Sequence, residues 1–123
     1  MISEIPSFKG LRVLVVGDVM LDYYWSGQTT RVSPEAPVPI VKVSEKEGRA
    51  GGAGNVALNI ASLAAEVTLL GIVGEDNEAK ELQTLLENKG VHCDFLTSNN
   101  TPTACKLRIV AQHQQLIRLD FEE

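Results

Sequence analysis

The sequence predicts an α/β fold in which a mainly parallel sheet is joined to a smaller group of strands. Short apolar runs alternate with segments of helical periodicity between residues 50 and 100, which is typical of a parallel sheet. The stretches on either side favour strands and turns instead. The chain has 123 residues, of which 44% are hydrophobic and 22% charged, as expected for a globular domain.

The first predicted strand runs from Leu11 to Val16, an apolar run rich in β-branched residues. Such a run indicates a strand that is buried on both faces. Gly17 and Asp18 end the strand, and Asp22 follows four residues after Asp18. Ligands bind beyond the carboxyl ends of parallel strands, so both carboxylates are candidates for accepting hydroxyl groups of a ligand. The alternative for each is that it caps a turn.

Residues 19–49 predict a small β excursion from the main sheet rather than a crossover helix. The segment contains the aromatic run Tyr23 to Trp25, and three prolines interrupt Ser33 to Pro39. Val38 to Val43 is predicted to form an edge strand, where proline is permitted. The alternative is a loop that packs against its own domain.

Three glycines, Gly51, Gly52 and Gly54, precede a segment of helical periodicity. A glycine loop that opens a helix presents free N–H groups at the positive end of the helix dipole. This arrangement suits an oxygen-rich ligand, and Asn55 adds a donor and an acceptor. The loop lacks the Lys-Ser or Lys-Thr of a P-loop and matches only part of the dinucleotide-binding fingerprint. A tight turn with close helix packing is the alternative.

The next elements are a second buried strand over Val67 to Gly74 and a helix with Asn77 as its N-cap. A leucine stripe between residues 82 and 86 predicts the buried side of that helix, which should end near Gly90. Cys93 to Leu96 is a candidate for a further short strand. The order of strands and helices predicts a parallel α/β layer.

A hairpin is predicted near the end of the sequence, with arms at Ala104 to Val110 and Leu116 to Asp120. Lys106 and Arg108 should share one face of the first arm because side chains alternate along a strand. Both could approach a phosphate group, and a solvated strand face is the alternative.

Several classes of protein are disfavoured by composition. A net charge of −5 argues against a nucleic-acid surface, and no apolar run approaches the roughly 20 residues that span a bilayer. Met1 to Gly10 does not have the pattern of a signal peptide, so we expect a cytoplasmic protein. Cys93 and Cys105 are expected to be reduced thiols, and neither they nor the isolated His92 and His113 predict a metal site.

The ordered set of motifs resembles the ribokinase-like carbohydrate kinases. The motifs are Val16-Gly17-Asp18 with Asp22, the Gly51-Gly52-x-x-Asn55-Val56-Ala57 loop and helix, and Gly71-x-x-Gly74-x-Asp76. Within that superfamily the sequence is most similar to the heptose 7-phosphate kinases that are fused to an adenylyltransferase. That closer resemblance rests on Arg31 to Pro39 and on Gln114 to Glu123.

The resemblance implies the N-terminal part of a ribokinase-like parallel-sheet sandwich with a small β lid. The core would comprise residues 8–18 and 50–100, and the lid residues 19–49 and 101–120. The implied reaction transfers phosphate from ATP, with Mg²⁺, to O1 of D-glycero-β-D-manno-heptose 7-phosphate. This step belongs to the synthesis of ADP-heptose for the lipopolysaccharide core.

The same resemblance implies which residues bind the sugar phosphate, and it implies a homodimer formed through the lid. The resemblance gives Asp22, Gly51, Gly52 and Asn55 as the residues that hold the sugar hydroxyls, with Asp18 beside them. The strand pattern, independently of the resemblance, adds Lys106 and Arg108 as candidates for holding the phosphate. The family's Gly-Ala-Gly-Asp segment, which carries the catalytic base, is absent, as are the residues that hold adenine. We therefore expect no catalytic residue, no complete ATP site and no activity in these 123 residues alone.

Two alternatives are another ribokinase-like sugar kinase, such as a ribokinase or fructokinase, and a non-catalytic binding or dimerisation module. The similarity over Arg31 to Pro39 and Gln114 to Glu123 disfavours the first. The missing base is compatible with the second.

Overall fold

A computed structural model describes residues 6–122 and contains seven strands and two helices in that range. The elements are β1 (Arg12–Val16), β2 (Val19–Val32), β3 (Pro39–Gly52), α1 (Ala53–Ala61), β4 (Glu66–Gly74), α2 (Asn77–Glu87), β5 (Val91–Ser98), β6 (Cys105–Ala111) and β7 (Gln114–Phe121). Two parts of the sequence interpretation lie outside the described residues. These are Met1 to Ile5 and Glu123, the last residue of the segment Gln114 to Glu123.

The core sheet consists of β1, β4 and β5 in the order β1-β4-β5, and all of its pairings are parallel. The predicted parallel α/β layer is therefore confirmed. The main hydrophobic cluster includes Val67, Leu69 and Val73 from β4 together with Leu82 and Leu86 from α2. These strand residues alternate along β4, so the helices cover the face of the sheet to which they point.

The opposite side of the core sheet, which we call the open face, is exposed within the described residues. Leu14, Val16, Ile72 and Leu96 are 61%, 66%, 63% and 59% exposed, respectively. The expectation that the first strand is buried on both faces is therefore wrong for residues 6–122. An apolar run does not reveal how many of its faces are covered by the chain that contains it.

The other four strands form a second sheet in the order β3-β2-β6-β7, which we call the lid sheet because the resemblance predicts a lid at these residues. β2 is antiparallel to β3 and parallel to β6, and β7 returns antiparallel to β6. The predicted β excursion, the edge position of β3 and the final hairpin are thus confirmed. Gln112 and His113 form the hairpin turn with φ values of 51° and 62°, as two-residue turns with two left-handed positions require.

The two helices begin at residues other than those predicted. Asp76, rather than Asn77, is the N-cap of α2, because its carboxylate accepts a hydrogen bond from the Ala79 amide at 2.9 Å. α1 begins at Ala53, directly after β3, so Gly51 and Gly52 end a strand instead of forming a separate loop. Neither helix of the described part of the chain is long and apolar enough to cross a membrane.

Candidate functional site

The two glycines at the end of β3 allow that strand to lie close to Asp18 and Asp22. Gly52 has φ +58°, and a Cβ at this position would lie 2.4 Å from the backbone oxygen of Asp18. A Cβ on Gly51 would lie 2.5 Å from Oδ2 of Asp22. The Ala53 amide donates to the Asp18 carbonyl at 2.8 Å, which fixes the start of α1. Glycine is required at position 52 because its φ is positive and the Asp18 backbone oxygen cannot give way, whereas a Cβ at position 51 would displace the Asp22 side chain.

Asp22 forms a largely buried ion pair with Arg108 on the neighbouring strand. Nη1 of Arg108 lies 3.2 Å from Oδ1 of Asp22, and the two side chains are 19% and 18% exposed. These two atoms are buried and are not aligned for a hydrogen bond with each other or with any other described residue. Buried polar atoms without an aligned partner are uncommon, and here each atom has the opposite charge of the other as its neighbour.

Tyr24 lies between two arginines on the same side of the lid sheet. The guanidinium carbon of Arg49 is 4.4 Å from the ring centroid, and that of Arg108 is 5.3 Å from it. Arg49 also forms a bidentate ion pair with Glu47, in which Nε donates to Oε1 and Nη2 to Oε2, both at 3.0 Å. The ring holds both guanidinium groups by cation–π attraction. Sequence reasoning missed Tyr24 and Arg49, although the alternation of side chains along β2 places Tyr24 beside Asp22.

We call this side of the lid sheet the polar face. Strand register places Asp22 opposite Lys106, and Tyr24 opposite Arg108, so the prediction that these two cations share a face is confirmed. The residues of the polar face are Asp22, Tyr24, Glu47, Arg49, Lys106, Arg108, Arg118 and Asp120. Lys106 is half-buried and forms no ion pair with another described residue, whereas the three arginines are each paired.

The other side of the lid sheet, which we call the apolar face, carries the alternate side chains. They include Leu21, Tyr23, Trp25, Leu107, Ile109, Ile117 and Leu119. Near the core the Tyr23 hydroxyl donates to Glu81 on α2, and burial together with this bond raises the pKa of Tyr23. Farther out, Ile117 is 53% exposed. Only the part of this face near α2 is therefore covered within the described residues.

A cleft of about 650 Å³ lies at the carboxyl end of β1, on the side of the open face. Its lining includes Asp18, Gly71 and the segment 101–102, and Val16, Ile72 and Leu96 contribute apolar surface. Asp18 is therefore at the cleft, as expected for a residue that follows a parallel strand. Asn55 lies in the first turn of α1, where no described side chain caps the helix.

The sequence-predicted residues thus form two connected groups. Asp18, Asp22, Gly51 and Gly52 meet where β3 ends, while Lys106 and Arg108 extend the group along the polar face. Asn55 belongs to the adjoining helix and is exposed. The two cysteines take no part, since both are free and buried, and burial raises the pKa of each thiol to about 11.

Comparison with curated proteins shows close similarity to a family of bifunctional proteins. The chain is 56% identical over 123 residues to the bifunctional protein HldE of Nitrosococcus oceani, covering all of this chain and 26% of that protein. It is 60% identical over 116 residues to HldE of Histophilus somni, covering 94% of this chain and 24% of that protein. The chain therefore spans about a quarter of the length of the curated relatives it matches.

Solved structures share the fold at lower identity. A carbohydrate kinase from Agrobacterium tumefaciens superposes with a TM-score of 0.75 at 23% identity, covering 89% of this chain and 35% of that one. An Arabidopsis thaliana ribokinase complexed with ribose and ATP has a TM-score of 0.70 at 23% identity, covering 91% and 36%. The family model for pfkB family carbohydrate kinases matches residues 11–122. Since that match includes almost the entire sequence, the chain belongs to the pfkB family of carbohydrate kinases.

Proposed function

We propose that this chain is the sugar-binding and lid portion of a kinase that phosphorylates D-glycero-β-D-manno-heptose 7-phosphate at O1. The observation that carries the proposal is the Asp22–Arg108 pair, a largely buried carboxylate held 3.2 Å from a guanidinium group. The pair lies beside the glycines that end β3, in a chain 56% identical to a bifunctional HldE. The pathway would be the synthesis of ADP-heptose for the lipopolysaccharide core.

In this proposal the polar groups position the sugar for phosphoryl transfer. Asp22 accepts sugar hydroxyls, and Arg108 holds the carboxylate in place and compensates its charge. Gly51 and Gly52 let the sugar approach the backbone, and Asn55 and Asp18 contribute further polar contacts. A kinase of this type gains most of its rate from positioning and charge stabilisation, so a fixed sugar site is a large part of its catalysis.

ATP and Mg²⁺ belong to the proposed reaction, but the described residues do not fit the metal ion. Among residues 6–122 no group of three or more His, Cys, Asp or Glu side chains is arranged to hold a metal ion. We assign the ATP site and the catalytic base to other parts of a longer kinase domain. Within that domain, residues 8–18 and 50–100 would belong to the core and residues 19–49 and 101–120 to the lid. The cytoplasm would supply the ATP.

The test uses the complete kinase, by which we mean this chain followed by the segments that its longer relatives have. Formation of ADP is measured with heptose 7-phosphate, with ribose and with fructose. The proposal expects kcat/KM for heptose 7-phosphate to exceed the others at least a hundredfold. Faster turnover of ribose or fructose would favour the other sugar kinases instead. No turnover of any of the three would favour a binding module.

Lys106 is expected to recognise the phosphate that the substrate already carries. It is a half-buried cation without an ion pair among residues 6–122, and charge-assisted bonds to phosphate are strong. Lys106→Ala should raise KM for heptose 7-phosphate at least fivefold and change KM for the same heptose without phosphate less than twofold. Lys46→Ala is the control, because Lys46 stacks on Trp25 on the apolar face. Equal effects on both sugars would contradict this role.

We also propose that the kinase forms a homodimer through the apolar face of the lid. Ile117 is 53% exposed there, and Leu119 and Phe121 lie on the same strand face. An exposed apolar sheet face favours pairing, and a two-fold axis lets one surface pair with itself. In sedimentation velocity, Ile117→Glu should shift the complete kinase toward monomer, whereas Gln114→Glu at the hairpin end should not. A dimer that tolerates Ile117→Glu would place the interface elsewhere.

A further inference from the structure

A compact hydrogen-bonded cluster joins the end of β4, the start of α2 and the segment before β6. The Thr103 hydroxyl donates to Oδ1 of Asp76 at 2.6 Å and accepts from the Gly74 amide at 2.9 Å. The Thr103 amide donates to Oδ2 of Asp76 at 2.9 Å. Oδ1 also accepts a hydrogen bond from the Ala79 amide, which caps α2. Thr103 is only 2% exposed. We call this cluster the latch.

The latch is crowded as well as hydrogen-bonded. A Cβ on Gly74 would lie 2.6 Å from Oδ2 of Asp76 and 2.8 Å from the Thr103 nitrogen. Burial raises the pKa of Asp76, but the hydrogen bonds from Thr103 and Ala79 outweigh it and hold that pKa below its usual value. The carboxylate therefore stays ionised near neutral pH, and the cluster keeps its acceptors.

The position of the latch links it to the polar face. Ala104 follows Thr103 directly, and its carbonyl accepts from the Leu21 amide at 2.9 Å, where β6 joins β2. Lys106 is three residues beyond Thr103, opposite Asp22. On the other side, segment 101–102 lines the cleft that contains Asp18. A small movement of Thr103 would therefore shift both the cleft wall and the cations of β6.

We propose that Asp76 and Thr103 are positioning residues, which set β6 against the core so that Arg108 and Lys106 meet the bound sugar phosphate. This role rests on the proposed kinase function. Neither Asp76 nor Thr103 needs to touch the substrate. The predicted consequence is selective, since the latch orders the sugar side of the site and leaves the ATP side, which lies elsewhere in the kinase, unchanged.

Thr103→Val and Thr103→Ser in the complete kinase provide the sharpest test. The valine side chain has the shape of threonine but can neither donate to Oδ1 of Asp76 nor accept from the Gly74 amide, whereas serine retains the hydroxyl and both variants keep the backbone amide that donates to Oδ2. Thr103→Val should raise KM for heptose 7-phosphate at least fivefold and change KM for ATP less than twofold. It should also accelerate amide hydrogen exchange in residues 105–111 at least tenfold, with little change in residues 66–73 of β4. Thr103→Ser should stay within twofold of the parent in all these measurements.

A second pair of variants tests the carboxylate. In Asp76→Asn the amide group of the new side chain would face an N–H or O–H donor of Thr103, so at least one bond of the latch is lost. Glu75→Gln removes the same charge from the neighbouring, exposed position and is the control. Asp76→Asn should reproduce the selective rise in KM for the sugar, and Glu75→Gln should not.

Three outcomes would overturn the role of the latch. These are equal effects of valine and serine at position 103, equal rises in KM for sugar and ATP, and unchanged exchange in β6. Absence of any heptose 7-phosphate turnover by the parent protein would instead refute the kinase proposal. In that case the exchange data for residues 105–111 would still decide whether Thr103 fixes β6.

Discussion

Asp22→Ala is expected to lower kcat/KM for heptose 7-phosphate at least tenfold in the complete kinase, with KM for ATP nearly unchanged. A hydrogen bond to a charged group contributes about 1.5–3 kcal/mol, and about 1.4 kcal/mol corresponds to a factor of ten. The substitution removes the acceptor for sugar hydroxyls and also leaves Arg108, which is 19% exposed, without its counter-charge. The loss should therefore be at the upper end of that range.

Asp120→Ala is the matched control for this variant. Asp120 lies on the same polar face and pairs with Arg118 at 2.9 Å, but that pair is on the edge strand and its side chains are more exposed. Exposed ion pairs contribute little, so kcat/KM should stay within twofold of the parent. If the two alanine variants lose activity equally, Asp22 does not contact the sugar.

Gly52→Ala should destabilise the kinase strongly, because it combines backbone strain with a steric clash. Gly52 has φ +58° and ψ −134°, a region almost restricted to glycine, where other residues cost about 1–3 kcal/mol. The new Cβ would also lie 2.4 Å from the Asp18 backbone oxygen, which cannot move without displacing the turn between β1 and β2. Together we expect a loss of roughly 3 kcal/mol or more, together with weaker sugar binding.

Gly90→Ala separates backbone strain from the steric clash. Gly90 also has a positive φ, +89°, but no other described atom lies within 4 Å of the position a Cβ would take. Strain alone should cost about 1–2 kcal/mol, and sugar binding should not change. Calorimetric melting temperatures and KM values for both variants provide the comparison. Similar losses in the two variants would show that contact with Asp18 is not what requires glycine at position 52.

The elements with local signals could be predicted from sequence. Three patterns are each contained in a few neighbouring residues, and each predicts an element that is present. They are the apolar run before Gly17, the leucine stripe of α2 and the polar turn at Gln112. The prediction of Asn77 as the N-cap is wrong because two adjacent residues, Asp76 and Asn77, both suit that position. The contact of Asp76 with Thr103, which is distant in sequence, leaves no local sign of the preference.

The motifs of the sequence point to single residues of the candidate site and not to their contacts. Asp22, Gly51 and Gly52 are proposed as substrate-binding residues from their motifs, and that role stays a prediction, whereas their contacts depend on how β2 pairs with β3. The partner of Asp22 could not be deduced, because parallel pairing of β2 with β6 determines that Arg108 lies beside it. Strand register is set by packing over the whole sheet, and one residue of slip would place Arg108 on the apolar face.

The parallel pairing of β2 with β6 has a consequence for how the protein folds. β2 and β3 are neighbours in sequence and can form a hairpin early, whereas β6 follows only after the whole core sheet. Closing such a long loop is entropically slow, so the contact between Asp22 and Arg108 should be among the last to form. While the ribosome still synthesises residues 53–104, the β2–β3 hairpin has an unpaired edge. During that interval the nascent chain should depend most on chaperones to avoid edge-to-edge aggregation.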